Sequence, residues 1–325
     1  MAKLIPIEQR SDVALTEALT LLVAGHPVAL PTETVYGLAA DATNPKAIAA
    51  IYETKGRPQF NPLICHMADL AMAERHAVFD PVSRRLAEHF WPGPLTLVLS
   101  IRDGSAIHPL ATAGLDTVGI RVPLGFMRRL ISAFGRPLAA PSANLSGRIS
   151  PTTARHVNED IGDRIDLILD DGASRVGVES TIVKVEDGRI RLLRPGGVAV
   201  EDIETVTGIK VDRPQSAGAS IEAPGMLASH YAPAARMRLD VTDVSPDEAL
   251  ITFGDVTVAG ADRATAVLNL SPSGDLREAA ANLFDFMKRA DAAGARTIAV
   301  APIPMAGLGE AINDRLARAA APRDS

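Results

Sequence analysis

The chain has one cysteine in 325 residues. That excludes an intramolecular disulfide and a cysteine-rich zinc site. Cys65 sits in the apolar run Leu63-Ile64-Cys65, which suits a buried, inert thiol rather than a nucleophile. Aromatic residues make up only 4% of the chain, and no stripe interleaves them with basic residues as an RNA-gripping face would. Positive charge is not in excess. Thirty-three Lys and Arg face 39 Asp and Glu, a net charge of -6, which argues against coating nucleic acid by bulk electrostatics but leaves room for a local cationic cleft. No stretch approaches about eighteen uncharged apolar residues, so no membrane-spanning helix is expected. The opening residues MAKLIPIEQRSD lack an apolar signal core, and a reduced, cytoplasmic setting is the expectation. Three motifs are also missing: G-x-x-x-x-G-K-[ST], H-E-x-x-H and G-x-S-x-G. Any nucleotide site here is therefore not a P-loop.

What is present is ordinary for a globular α/β protein: 47% apolar residues, 22% charged, and enough length for two domains. Helical spacing runs over Val13–Ala24 behind a Ser11-Asp12 cap region, over Pro45–Tyr52, Pro81–Phe90 and Met127–Phe134, and from Thr152 to Ile161 with Pro151 near the first helical position. Strands are expected at Pro27–Leu30, Leu63–His66, Leu95–Ile101, Val118–Val122, Leu138–Ala140, Leu167–Asp170, Ser180–Val185 and Ile190–Leu193. From Asp212 to about Pro224 the composition turns to Pro, Gln, Ser, Ala and Gly without periodicity, which reads as a linker. Beyond it, strands at Met237–Val241, Ala249–Phe253, Ala266–Leu270 and Thr297–Ala301 alternate with helices at Leu276–Ala290 and Ala311–Ala320. That rhythm predicts a small, largely parallel α/β domain.

Two islands carry chemistry. The first is Pro31-Thr32-Glu33-Thr34-Val35-Tyr36-Gly37, continuing to Lys55-Gly56-Arg57-Pro58 in a loop after the second helix. The second is Pro141-Ser142-Ala143-Asn144-Leu145-Ser146-Gly147, directly after a buried strand. Guanidinium forks, an ammonium, hydroxyls and turn N–H groups together suit a phosphorylated ligand. Composition alone favours solvated loop cations for Lys55 and Arg57, and Ser142 to Asn144 are compatible with a plain turn. Period two places Thr117, Gly119 and Arg121 on one strand face, and an Arg flanked by Ile120 and Val122 needs an anion, either a structural carboxylate or a substrate. Ser150-Pro151-Thr152 would open a helix whose N-terminus attracts phosphate.

Lys55-x-Arg57 with Ser142-x-Asn144 resembles the K-x-R…S-x-N pattern of the YrdC-like threonylcarbamoyl-AMP synthase family. The blocks PTETVYGLAADA, KGRPQFNPLICH, WPGPLTLVL, APSANLSGRISPT, ESTIVKV and LRPGGV follow in the order of that family. Pro224-Gly225-Met226, His230-Tyr231-Ala232-Pro233 and the closing GLGEAINDRLARAA are similar to its long, two-domain Sua-type form. The resemblance implies a YrdC-like twisted, open, mixed sheet over residues 1–211, a linker or lid over 212–235, and a smaller Rossmann-like α/β domain over 236–325. It implies that ATP is met by Arg57, Asn61, Thr117, Ser142, Asn144, Ser150 and Arg194, with His230 or Tyr231 reaching it from the lid. Lys55 and Arg57 would neutralise the reacting groups. Thr34, His66, Arg121, Ala140 and Ser180 would hold L-threonine, which reacts with bicarbonate and ATP. Mg²⁺ would accompany the ATP, and no protein metal ligand is implied. The product would pass to a tRNA-modifying threonylcarbamoyl transferase. Many relatives carry basic residues where this chain has Leu227-Ala228-Ser229, so basic contacts from that stretch are not expected.

Two other readings share these features. An RNA-binding module of the same fold would hold duplex RNA or tRNA without turnover, against which the net acidity weighs. A carbamoyl-adenylate step in hydrogenase maturation uses a related domain, but with cysteine zinc modules for which one cysteine is too few.

Overall fold

The structure, a computed structural model, describes residues 1–58, 61–213, 222–226 and 230–322. It opens with β1 (Lys3–Pro6), α1 (Ile7–Ala24), β2 (Val28–Leu30), β3 (Gly37–Asp41), α2 (Pro45–Lys55) and β4 (Ile64–His66). Next come α3 (Leu70–His76), α4 (Pro81–Phe90), β5 (Leu95–Ser100), β6 (Thr117–Arg121), α5 (Phe126–Phe134) and β7 (Leu138–Ala139). α6 (Ala154–Ile161), β8 (Leu167–Asp170), β9 (Thr181–Glu186), β10 (Arg189–Arg194), α7 (Val200–Thr207) and β11 (Val211–Asp212) complete the first unit. Their strands form one eleven-stranded sheet, ordered β1-β8-β2-β3-β7-β4-β6-β5-β9-β10-β11. The sheet is mixed: β4 runs parallel to β6 and β5 to β9, while β5 and β6 are antiparallel. At one edge of this central region β4 and β6 end in His66 and Arg121, which are in register. β5 and β9 begin there, with Leu95 opposite Thr181.

The second unit holds β12 (Arg236–Arg238), β13 (Glu248–Thr252), β14 (Ala266–Asn269), α8 (Leu276–Ala292), β15 (Thr297–Val300) and α9 (Leu308–Ala320). Its sheet, ordered β12-β15-β13-β14, is parallel throughout. Leu283, Phe284 and Met287 of α8 and Ile312 and Leu316 of α9 fill its core. That core does not stop at the unit's border. Val35, Ile149 and Val178 of the first unit, and Tyr231 of the linker, belong to the same apolar cluster. Polar contacts cross as well: Lys288 Nζ pairs with Asp160 at 3.1 Å, and His156 Nε2 lies 3.1 Å from Asp285.

Several local expectations are corrected. α1 starts at Ile7 and breaks at Arg10, whose φ is -140°. Ser11 and Asp12 do not cap it, because their side chains bond the Arg129 guanidinium of α5 instead. α2 runs on to Lys55, so Lys55 is the last helical residue rather than a loop cation. Asn44 caps its start, Pro45 fits the first turn, and Gly56 ends it in the left-handed region at φ 58°. α6 begins only at Ala154, capped by Thr153, which leaves Pro151 and Ser150 outside the helix. β1, α3, α7 and β11 were not legible, being short or at a sheet edge. Of the expected linker, 214–221 and Leu227-Ala228-Ser229 lie outside the described residues. Its described part is docked: Ala223 and Met226 pack on Ile64, Val98, Ile182 and Leu193. Glu222 pairs with Lys184 at 2.7 Å and Arg191 at 2.9 Å.

Gly177 shows how tightly the units meet. Its φ is +76°, and a Cβ there would lie 2.3 Å from the Ala280 carbonyl oxygen and 2.4 Å from Ala281 Cα of α8. Backbone cannot yield as a side-chain tip can. Gly172 has a similar φ of +74° but faces open space. In urea unfolding, Gly172→Ala is expected to cost about 1 kcal/mol for its backbone conformation. Gly177→Ala should cost that plus about 1–3 kcal/mol of overpacking. Equal losses would show that the units are not in this close contact.

Candidate active site

The edge where β4 and β6 end and β9 begins is a natural place to gather side chains, because ligands of open α/β sheets collect at strand ends. Arg121 closes β6 there. Its Nη1 donates to Thr34 Oγ1 at 2.9 Å and its Nε to the Gly93 carbonyl at 3.1 Å, and Nη2 lies 2.7 Å from Glu33. The structural carboxylate expected for this Arg is thus Glu33, from the first island, while Arg121 still lines a cavity. Thr34 is fixed by the neighbouring Thr32 hydroxyl at 2.8 Å. His66, Ala140 and Ser180 line the same cavity. Burial, then the Arg121 charge, pushes the His66 imidazole down to about 3, so it is neutral, and its Nδ1 meets no hydrogen-bond partner among the described residues.

On the other side stand Arg57, Arg194 and Ser142. Arg57 follows the Gly56 turn and folds back, donating from Nε to the Asn61 carbonyl at 3.3 Å and from Nη2 to the Pro62 carbonyl at 3.0 Å. Burial lowers it to about 10, still cationic at neutral pH. Arg194 ends β10 and donates from Nε and Nη2 to the Ser180 carbonyl at 3.2 and 2.9 Å. Both guanidiniums are buried, not solvated.

Lys55, Asn61, Thr117, Asn144 and Ser150 do not line the cavity. Lys55 Nζ donates to the carbonyls of Ser142 at 2.6 Å and Asn144 at 2.5 Å, and approaches Asn144 Oδ1 at 3.4 Å. Asn144 Nδ2 in turn holds the Leu145 and Arg148 carbonyls at 2.9 and 2.8 Å. The two islands are therefore stapled together by Lys55 and Asn144, whose own polar atoms are largely used up. Asn61 is buried, and its Oδ1 meets no hydrogen-bond partner among the described residues. Thr117 begins β6 opposite Ser100, at the far end of the strand from Arg121. Ser150 Oγ donates to Glu179 at 2.6 Å.

The linker covers the remaining side. Pro224, Gly225, His230 and Tyr231 line the cavity. Gly225, at φ +85°, passes so close that a Cβ would meet Arg194 Cδ at 2.8 Å and the Tyr231 hydroxyl at 3.3 Å. Tyr231 stacks on Phe284 of α8 with ring centres 5.5 Å apart, and His230 packs edge-on against Tyr231 at 4.1 Å. Both rings come from the linker, so the structure does not single out one of them. The enclosed space is about 50 Å³. Ligand pockets usually offer about 300–1,000 Å³. In this conformation the cavity, walled in part by the linker, is smaller than that.

Three comparisons bear on this arrangement. Residues 20–196 match the family described as "Telomere recombination", which groups the Sua5, YciO and YrdC proteins, and residues 198–321 match "Threonylcarbamoyl-AMP synthase, C-terminal domain". The chain belongs to that family. It is 40% identical to the threonylcarbamoyl-AMP synthase of Pyrococcus abyssi, over 91% of this chain and 90% of that protein. It is 41% identical to that of Bacillus subtilis, over 96% and 94%. Among solved structures, P. abyssi Sua5 complexed with L-threonine superimposes with a TM-score of 0.86 at 36% identity, covering 98% of each chain. The mixed sheet with a second parallel α/β unit is thus the fold of this family in its two-domain form.

Sequence reading gave no role to three residues that pair at or behind the cavity wall, Glu33 with Arg121 and Arg315 with Glu179. Glu33 and Glu179 lie inside two of the quoted blocks, and Arg315 inside GLGEAINDRLARAA, but carboxylates are not what a polyanion site suggests. Burial works against the Glu179 charge, yet Arg315, Arg194 and the Ser150 hydroxyl outweigh it and hold the carboxyl at about 2. His230, like His66, is pushed by burial down to about 3. Between about pH 3 and 6.5 the unfolded chain binds protons at these two histidines that the folded chain does not, so stability rises with pH across that window. A His66→Gln, His230→Gln chain should therefore lose less stability than the parent on going from pH 7 to 5, by up to about 1.4 kcal/mol per pH unit and histidine. Urea midpoints at four pH values measure this, and parallel pH profiles would mean that the imidazoles titrate in the fold as they do in the unfolded chain.

Proposed function

We propose that this chain is an L-threonylcarbamoyladenylate synthase, a nucleotidyltransferase that joins L-threonine, bicarbonate and ATP and releases pyrophosphate. The observation that carries the reading is three buried guanidiniums, of Arg57, Arg121 and Arg194, around one cavity that also holds Thr34, His66 and Ser180. The threonine amine attacks the carbon of bicarbonate, and water leaves to give the carbamate. A carbamate oxygen then attacks the α-phosphorus of ATP, and pyrophosphate departs. Apart from the amine, every reactant is anionic, so the task is to neutralise, align and dry them. Arg57 and Arg194 suit the phosphates; Thr34, His66, Arg121, Ala140 and Ser180 suit the amino acid. Ser142 faces the phosphates from a loop that Lys55 and Asn144 shape. Asn61 and Ser150 act from just behind the cavity wall, and Thr117 from farther along β6.

Among the described residues no group of three His, Cys, Asp or Glu could hold a metal ion. Mg²⁺ enters with ATP as part of the substrate, held by phosphates and water. The linker withdraws to admit ATP and then shields the mixed anhydride from hydrolysis. The product serves a tRNA-modifying threonylcarbamoyl transferase, in the reduced cytoplasmic setting that the lone buried Cys65 suits.

Incubation with MgATP, bicarbonate and labelled threonine should yield pyrophosphate and labelled adenylate. Salt-dependent tRNA binding without turnover would favour the RNA-binding reading instead. Because a site that bonds a hydroxyl rejects analogues lacking it better than it rejects a missing methyl, serine should be a weak substrate and valine worse by about 10²-fold or more. If valine competes as well as serine does, the hydroxyl is not being read.

A further inference from the structure

Glu179 is an anion in a cavity that, on the reading above, binds a polyanion. It lines that cavity, is buried, and accepts from Ser150 Oγ through Oε1 at 2.6 Å. Its other oxygen accepts from Arg315 Nε at 2.8 Å. Arg315 belongs to α9 of the second unit and is wholly buried. Its Nη1 donates to the Pro195 carbonyl at 2.9 Å and to Asp314 at 2.6 Å. Its guanidinium carbon stands 5.3 Å from the centre of the Tyr231 ring, within cation–π range. One side chain of the second unit thus touches both a carboxylate of the catalytic cavity and an aromatic of the linker that walls it.

A carboxylate with no cation partner would repel the triphosphate across a dry cavity, where charges are poorly screened. Arg194 also faces Glu179 and partly balances it, but Arg194 is needed for phosphate. The remaining groups facing Glu179 do not help: Asp314 has the wrong sign, Ser150 and Tyr231 are neutral, and His230 carries no charge at neutral pH. We propose that Arg315 is a positioning residue of the active site: by pairing with Glu179 and packing on Tyr231, the second unit sets both the charge and the wall of the ATP pocket. The inference rests on the assignment of the cavity to ATP. It gives the second unit a task in the reaction itself, beyond anchoring the linker.

The test uses the full chain in four forms: parent, Arg315→Met, Glu179→Gln, and the two substitutions together. Pyrophosphate release with MgATP, L-threonine and bicarbonate is measured at pH 6, 7 and 8, alongside thermal melts. Loss of Arg315 removes the cation that does most to offset burial at Glu179, so its carboxyl takes up a proton more readily as pH falls. The ATP KM of Arg315→Met should rise about tenfold or more at pH 8 and by less at pH 6, with the parent flat. The threonine KM should move far less. Adding Glu179→Gln should restore the ATP KM and abolish its pH dependence, which a merely structural role of Arg315 would not predict. An ATP KM within twofold of the parent at every pH overturns the proposal. If Arg315→Met does not fold, the double variant decides: folding with near-parental ATP KM supports the proposal, and failure to fold, or folding without ATP affinity, overturns it. A parent chain that forms no adenylate refutes the functional reading rather than this inference.

Discussion

A site for a polyanion must hold several cations close together before the ligand arrives, and this chain does so mainly with backbone carbonyls. Arg57 donates to the carbonyls of Asn61 and Pro62, Arg194 to that of Ser180, and Lys55 to those of Ser142 and Asn144. A carbonyl satisfies an N–H without cancelling its charge, so the positive potential survives for phosphate. A carboxylate partner would have spent it. The cost of burying these cations shows in the direction of their shifts, with Lys55, Arg57 and Arg194 all driven down by burial. Bound phosphate would return that cost, because a buried charge is tolerated when it is paired and hydrogen-bonded.

The exceptions to the carbonyl rule are informative. Arg121 lies against Glu33, and Arg315 against Glu179. In each case the pairing fixes the position of a side chain as well as balancing its charge. Glu33 fixes Arg121, which then holds the Thr34 hydroxyl at a set point at the end of β6. Arg315 ties α9 to the loop before β9. Buried pairs of this kind add little net stability over apolar replacements, yet breaking one strands a charge. They are therefore better understood as devices of placement. Lys55 takes a third course. It remains close to the phosphate side but spends its protons on the second island, so its influence on a ligand passes through Ser142.

The two units consequently behave as one piece around the cavity. Val35, which lines the cavity, and Ile149 and Val178, next in sequence to Ser150 and Glu179, share an apolar cluster with Phe284 and Ile312 of the second unit. Tyr231 is the hinge of this arrangement in a geometric sense: it stacks on Phe284, lies beside the Arg315 guanidinium and closes the cavity at once. Displacing the linker to admit a nucleotide must disturb those contacts, so ligand entry and the packing of the two units are physically linked. The close approach of Gly177 to α8 holds the loop before β9 against the second unit.

What was legible in the sequence, and what was not, follows from the range of the interactions involved. Periodicity and turn residues give local structure, and they placed α4 and β8 to the residue and most other elements closely. The cap expected at Ser11-Asp12 failed because those side chains are drawn to Arg129, more than a hundred positions away. The helix start expected at Thr152 failed because Thr153 offers a better cap, donated to by the His156 N–H. The cavity residues were legible through the resemblance carried by ordered blocks, whereas composition alone left Lys55 and Arg57 as solvated cations. Glu179 and Arg315 are 136 positions apart and in different units; a carboxylate is not what phosphate chemistry calls for, and Arg315 lies in a block far from either island. Only a fold that brings α9 onto the loop before β9 makes them a pair. A sequence can therefore announce the groups that meet the ligand, while the groups that keep those in place and in balance stay silent until distances are known.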